Sequence, residues 1–307
     1  IGELNVDLIL NQLEQFPEVG KEILADDMTF TLGSSSAIFA SNLRVLGSKV
    51  SFVGKLGEDM FGRFILSRLR EKDLHTDDLI FTDSTQTGIT VALNYGEERA
   101  MVTYPGAMND LCLNDIGEDS LKKGRHLHVS SIFLQEGLKK DVVPLFRKAK
   151  ELGLTTSLDP QWDPAEKWDV PWDELLPYVD VFIPNISEIQ GITETENLEE
   201  ALRKLTSRHN IVVVKDGSNG AHLFNGDEHI HQKAFTSPSV VDSIGAGDSF
   251  NAGFIHRFIA GRPLKESLEY AALTGAVNTV KAGGTGAFET KEKFKELASS
   301  IFHYEVE

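Results

Sequence analysis

Between Asp242 and Phe254 the chain carries its residues best suited to chemistry: Gly245, Ala246 and Gly247, followed at once by Asp248. Behind them Phe250, Phe254, Ile255, Phe258 and Ile259 recur at helical spacing, which predicts a buried helix from about Ala246. The apolar pair Val240-Val241 ahead of the glycines would suit a strand end. A helix start has unpaired N–H groups and the positive end of the helix dipole, and glycine lets an anion approach that backbone closely. Asp248 falls in the first turn, where its carboxylate could take a proton from a hydroxyl beside the same anion. Amides for a transferred group and a base for the attacking oxygen are what phosphoryl transfer to an alcohol requires. The plainer reading is a glycine-rich turn in which Asp248 only caps the helix.

Other polar residues stand at suggestive spacings. Asn5 and Asp7 share one face of an alternating apolar–polar stretch over residues 1–10. Gly33-Ser34-Ser35-Ser36 leads into a small-residue helix over Ala37–Leu46, which Gly47 ends. Asn185-x-x-Glu188 follows an apolar run and a proline, and its spacing is also that of a helix capping box. Rival chemistries find no support. The nine histidines show no paired metal spacing, and there is no P-loop, no protein-kinase D-F-G, no G-x-S-x-G elbow and no complete dinucleotide fingerprint.

These residues need a scaffold, and the patterns supply one. Strands are predicted over His126–Val129, Leu154–Leu158, Val179–Ile183 and Ile211–Val214, alternating with helices over Val142–Glu151 and Leu198–Thr206. Val50–Val53 reads as a further strand, and Leu264–Lys281 and Lys291–Ile301 as C-terminal helices. Runs such as Ile211–Val214 are apolar throughout, as in strands covered on both faces. The alternation predicts an α/β fold, a doubly wound and mainly parallel sheet with helices on both faces. Ligands in such sheets bind beyond the carboxyl ends of the strands, where Asp7, Asp159, Asn185, Lys215 and Asp242 are expected. Thr87–Leu93 and Arg99–Thr103 form a hairpin through residues 94–98, and Asn225-Gly226-Asp227 turns another.

The run from Asp242 to Phe254 resembles the C-terminal signature of the PfkB (ribokinase-like) family of carbohydrate kinases, and nearly the whole chain follows that family's order. The resemblance implies an ATP-dependent sugar or sugar-acid kinase with Asp248 as base and Gly245, Ala246 and Gly247 as its anion hole. It implies that Asn5, Asp7, Gly33, Ser34 and Gln135 face the acceptor, and that Asp159-Pro160-Gln161-Trp162 borders the site. It implies that Asn185, Lys215 and Gly217 serve the nucleotide, that Glu188 organises Mg²⁺ from an outer shell, and that Asp242 helps hold a monovalent cation such as K⁺. Residues 1–307 would then form one kinase domain, with a small β-sheet lid inserted from about 11–32 and 86–104 through which two subunits pair. Two positions depart from the family pattern: Ser34 replaces a glycine and Ile38 replaces the usual sugar-binding Asn. Ile38 packing on a base would suit a nucleoside kinase of the same fold, the second reading. The absence of a Lys or Arg at position 35 argues against a phosphosugar, and a catalytically silent sugar-binding protein is the remaining alternative.

Composition agrees with an enzyme of small molecules. At 307 residues and 41% apolar content the chain can bury a large α/β core. A net charge of −17 argues against nucleic acid or a membrane surface as partner. A single cysteine, Cys112, forms no internal disulfide and suits the cytoplasm. No apolar run approaches the ~20 residues of a membrane span. Ile1 reads as already inside a strand, so the natural start is expected upstream.

Overall fold

A computed structural model of the chain describes residues 1–15, 17–95, 98–206, 210–226, 228–237 and 240–306. The elements are, in order, β1 Asn5–Asn11, β2 Asp27–Leu32, α1 Ser35–Val45, β3 Lys55–Gly57, α2 Met60–Glu71, β4 Ile80–Thr82, β5 Gly88–Tyr95 and β6 Glu98–Tyr104. Then come α3 Glu118–Lys122, β7 His126–Ser130, α4 Glu136–Glu151, β8 Thr155–Asp159, α5 Trp172–Leu175, β9 Val181–Phe182, α6 Ile186–Thr193 and α7 Leu198–Thr206. The chain ends with β10 Ile211–Lys215, β11 Ala221–Phe224, β12 His229–Gln232, α8 Ala246–Ile259, α9 Leu264–Asn278 and α10 Lys291–Phe302. Gly96, Glu97 and Asp227, at the expected hairpin tips, lie outside the described residues.

The larger sheet runs β12-β11-β10-β9-β8-β7. Its four strands from β7 to β10 are parallel, and β11 and β12 close it antiparallel. Alternation along β10 explains the layers. Val213 points into a core built with α1, α8, α9 and α10, whereas Val212 and Val214 point into a second core built with α4, α6 and α7. All three are fully buried, so β10 is apolar throughout because it is covered on both faces. The doubly wound α/β reading holds.

A second sheet, of order β2-β1-β5-β6, stands beside the first, with β1 and β5 parallel and the outer strands antiparallel. Residues 1–4 belong to the larger layer, since the Ile1 amine donates to His128 O and Gly2 N–H to Val53 O. One extended segment therefore leaves the larger layer and becomes β1 of the smaller sheet. Asp7 lies inside that smaller sheet, a correction to its expected place at a strand end of the main one. The expected strand over Val50–Val53 is reduced to a single bridge between Ser51 and His75, with β3 starting at Lys55. Val240 and Val241 form no strand and are exposed, because the chain there runs along Thr279 O at the protein surface. Residues 11–32, expected to contribute to the small sheet, supply β2 to it. Among the described residues no helix is long and apolar enough to cross a membrane.

Candidate active site

The N-terminus of α8 is reached through Gly245 in the left-handed region, φ 73°. A Cβ at Gly245 would lie 2.5 Å from Gly284 Cα and 3.1 Å from Ile38 Cγ2, so only glycine fits this turn. Three buried side chains hold the two loops together. Asn42 Nδ2 donates to Gly284 O and to Ser249 Oγ at 2.8 Å, and Asn278 Nδ2 donates to Ile244 O at 2.6 Å. Ser249 Oγ closes the network by donating to Asn278 Oδ1. Of the three amides expected at the anion hole, Ala246 N–H turns back to Ser243 O at 3.2 Å. No acceptor among the described residues takes the N–H of Gly245, Gly247 or Asp248, so these face the approach to the helix.

Asp248 is buried at the start of α8. Its Oδ1 accepts from Ser35 Oγ and, at 3.2 Å, from Gln161 Nε2, while no described donor reaches Oδ2. Burial and the nearby Asp159 push its pKa up to about 7, against the Ser35 bond and the Lys215 charge. Lys215, at the end of β10, is half-buried and donates to Asp159 Oδ2 at 2.7 Å. Its Nζ lies 3.8 Å from where a Cβ on Gly247 would stand, which puts an ammonium beside the open amides. Burial alone would lower the Lys215 pKa; Asp159 and Glu188 outweigh it and hold the group charged.

Asn5, Asp7 and Gly33 come together on the smaller sheet. Asn5 Nδ2 donates to Thr90 Oγ1 at 2.8 Å and to Asp7 Oδ1 at 3.1 Å. A Cβ on Gly33 would stand 2.2 Å from Asp7 Oδ1, so the glycine keeps the carboxylate's place. Only Ser34 separates Gly33, against Asp7, from Ser35, against Asp248. The chain over residues 33–35 thus runs directly from Asn5 and Asp7 to Asp248.

Six further residues with expected roles are tied into the scaffold. Ser34 is buried at φ 73° and caps α1, its Oγ accepting from Ala37 N–H and donating to Glu3 O. Gln135 is wholly buried and turned inward, its Nε2 donating to Ser130 O and Ser131 O beneath the left-handed turn at Ser131. Ile38 is buried against Gly245 and Gly284 and presents no face to a base. Asn185 and Glu188 form the reciprocal capping box of α6: both Glu188 oxygens accept from Asn185, and Asn185 Oδ1 accepts from Glu188 N–H. Burial and Asp159 raise the Glu188 pKa to about 7. Asp242 uses one oxygen to accept from Ile244 N–H and the other from Gly283 N–H, both at 2.9 Å, clipping the two loops together. Gly217 turns with φ 51° just beyond Lys215.

Sequence reasoning had no signal for Glu3. Its carboxyl is buried under the start of α1, accepts from the backbone and hydroxyl of Ser36, and is raised by burial to about 8. Among the described residues no three His, Cys, Asp or Glu side chains could hold a metal directly. A cavity of about 900 Å³ opens between β7 and residues 49–53, lined by Phe39, Leu43, His126, His128 and Ile255, and none of the catalytic candidates lines it.

Residues 1–291 match the pfkB family carbohydrate kinase domain. The chain is 26% identical to the ribokinase of Lactococcus lactis subsp. lactis over 310 residues, which cover 98% of each chain. Its fold superposes on Arabidopsis thaliana ribokinase, solved with ribose and ATP, with a TM-score of 0.83 over 96% of each chain at 24% identity. It also superposes on a fructokinase of Vibrio cholerae, solved with fructose, ADP and potassium ion, with a TM-score of 0.79 at 25% identity, over 98% of this chain and 96% of that one. With the glycine-framed helix start and its buried aspartate in place, the chain belongs to the pfkB family of carbohydrate kinases, phosphotransferases with an alcohol group as acceptor.

Proposed function

We propose that the protein transfers the γ-phosphoryl group of ATP to a sugar or sugar-acid hydroxyl, with Asp248 as general base. The observation that carries the reading is the asymmetry of Asp248: one oxygen is held by Ser35 and Gln161, and the other is free beside open helix-start amides. The sugar lies on the smaller sheet, where Asp7 and Asn5 take its hydroxyls next to Gly33. Asp248 Oδ2 accepts the proton of the attacking hydroxyl, and its oxygen attacks the γ-phosphorus in line. The amides of Gly245 and Gly247 and the Lys215 ammonium take up charge on the transferring group. Asn185 and Glu188 offer oxygen donors only, which suits Mg²⁺ held through water. Bound there, Mg²⁺ would neutralise phosphate charge. Gly217 borders the nucleotide. Ribose and ATP bound to the Arabidopsis thaliana ribokinase, and fructose, ADP and potassium ion bound to the Vibrio cholerae fructokinase, support the substrate classes and, for the loop clipped by Asp242, a K⁺ site.

The smaller sheet serves as a lid, and two copies of this chain pair through it. We place the reaction in the cytoplasm, where ATP and a reduced Cys112 coexist. The buried position of Ile38 disfavours the nucleoside alternative.

The test is ADP release with Mg-ATP across aldoses, ketoses, sugar acids and nucleosides, for the wild type and Asp248→Asn. A sugar-dependent turnover that falls by at least ~10²-fold in the variant is expected, the scale of losing a general base. Near-normal turnover by Asp248→Asn would sink the mechanism, and a response to nucleosides alone would replace the substrate class.

A further inference from the structure

Asp159, the last residue of β8, is wholly buried and draws donors from three directions. Lys215 Nζ and Gln161 Nε2 donate to Oδ2 at 2.7 and 2.9 Å, Gln161 N–H donates to Oδ1 at 3.2 Å, and Asn251 Nδ2 donates to Oδ2 from α8. Gln161 holds a left-handed backbone, φ 59°, that non-glycine residues adopt only when their surroundings impose it. That conformation sends its amide to Ser35 Oγ at 2.8 Å and Asp248 Oδ1 at 3.2 Å. A single neutral amide thereby straps two buried carboxylates together, and the Lys215 ammonium shares its oxygen on Asp159.

We propose that Asp159 and Gln161 are positioning residues of the transfer: Gln161 fixes which oxygen of Asp248 takes the proton, and Asp159 holds both Gln161 and Lys215 in register with it. The proposal rests on the reading of Asp248 as base. Four titratable groups couple electrostatically to Asp248: Glu3 ahead of β1, Asp159 on β8, Glu188 on α6 and Lys215 on β10. Asp159 raises the proton affinity of Asp248 and Lys215 lowers it. Removing one or the other should therefore act in opposite senses, which a merely structural role would not do.

The experiment is the pH profile of kcat/KM for the sugar at saturating Mg-ATP, in the wild type, Asp159→Asn, Lys215→Met, Gln161→Met and Asp248→Asn. A base works deprotonated, so activity rises with pH through its pKa. Asp159→Asn should move that rise to lower pH, and Lys215→Met to higher pH, each by about one pH unit, the scale of one nearby charge. Gln161→Met should lower kcat about tenfold through misorientation of the base, with KM for Mg-ATP unchanged. Profiles that stay put, or that move in the same sense, overturn the proposal while a silent Asp248→Asn leaves the base standing. An active Asp248→Asn overturns the base itself. Should Asp159→Asn fail to fold, an upward move in Lys215→Met and a kcat loss in Gln161→Met decide for the proposal, and their absence decides against it.

Discussion

At Gly33 one methyl group would land on the Asp7 carboxylate, 2.2 Å from Oδ1, while leaving the base and the amides of α8 untouched. Gly33→Ala should therefore raise KM for the sugar at least tenfold, ~1.4 kcal/mol of lost binding. Calorimetry should find Mg-ATP binding unchanged in the same variant. A KM within twofold of wild type would place the acceptor elsewhere. The turn at Gly245, the helix start at Asp248, and Asn5 and Asp7 on one strand face were legible in the sequence because each is a local feature. Ser35 and Gln161 were not legible in their roles, since Ser35 meets Asp248 across 213 positions and Gln161 meets it across 87. Nothing in a single sequence encodes such pairings. Ser34 and Gln135 misled for the converse reason. Each lies in a segment that borders the site, but its hydrogen bonds are consumed by the turn it stabilises.

Helix α8 shows how an element can be fixed at one glycine and permissive at the next. Gly245 has positive φ and no room, since its Cβ would meet the backbone of Gly284 at 2.5 Å. Gly247 has ordinary φ, and its Cβ would meet only Lys215 atoms at 3.8 and 3.9 Å. Gly245→Ala should lose ~1–3 kcal/mol of stability, the scale of an imposed left-handed residue, and activity with it. Gly247→Ala should melt near wild type yet lose turnover, because its methyl would stand where the proposed mechanism brings the phosphoryl group. Thermal unfolding and ADP release on both variants would test this, and equal melting losses would refute it. The long, apolar-faced elements were predictable, and their ends were not. The helix read over Leu264–Lys281 stops at Asn278, because the following turn is needed to present Thr279 O to the chain at Val241.

The molecule divides its labour between two sheets, and the smaller one leaves apolar surface uncovered. Met28, Met101, Val102 and Tyr104 are each at least 48% exposed on its edge strands. Such a surface on a chain of net charge −17 is expected to be covered by a second copy. Sedimentation equilibrium should give a dimer, and Val102→Glu should yield monomer with a raised sugar KM; a monomeric wild type would refute the pairing. The sheet itself was only half visible in the sequence, since β1 alternates like any strand and nothing marks where it changes partners.

That change of partners carries a consequence for economy. Residues 1–4 are pinned beside β7, while Asn5 and Asp7, one step on, ride on the smaller sheet and Asp248 stays on the larger fold. On the proposed reading, the acceptor's grip and its base therefore belong to different sheets and meet through residues 33–35. A slip of register at the Leu4–Asn5 crossing would then part grip from base, and ATP would be spent on water instead of on the acceptor.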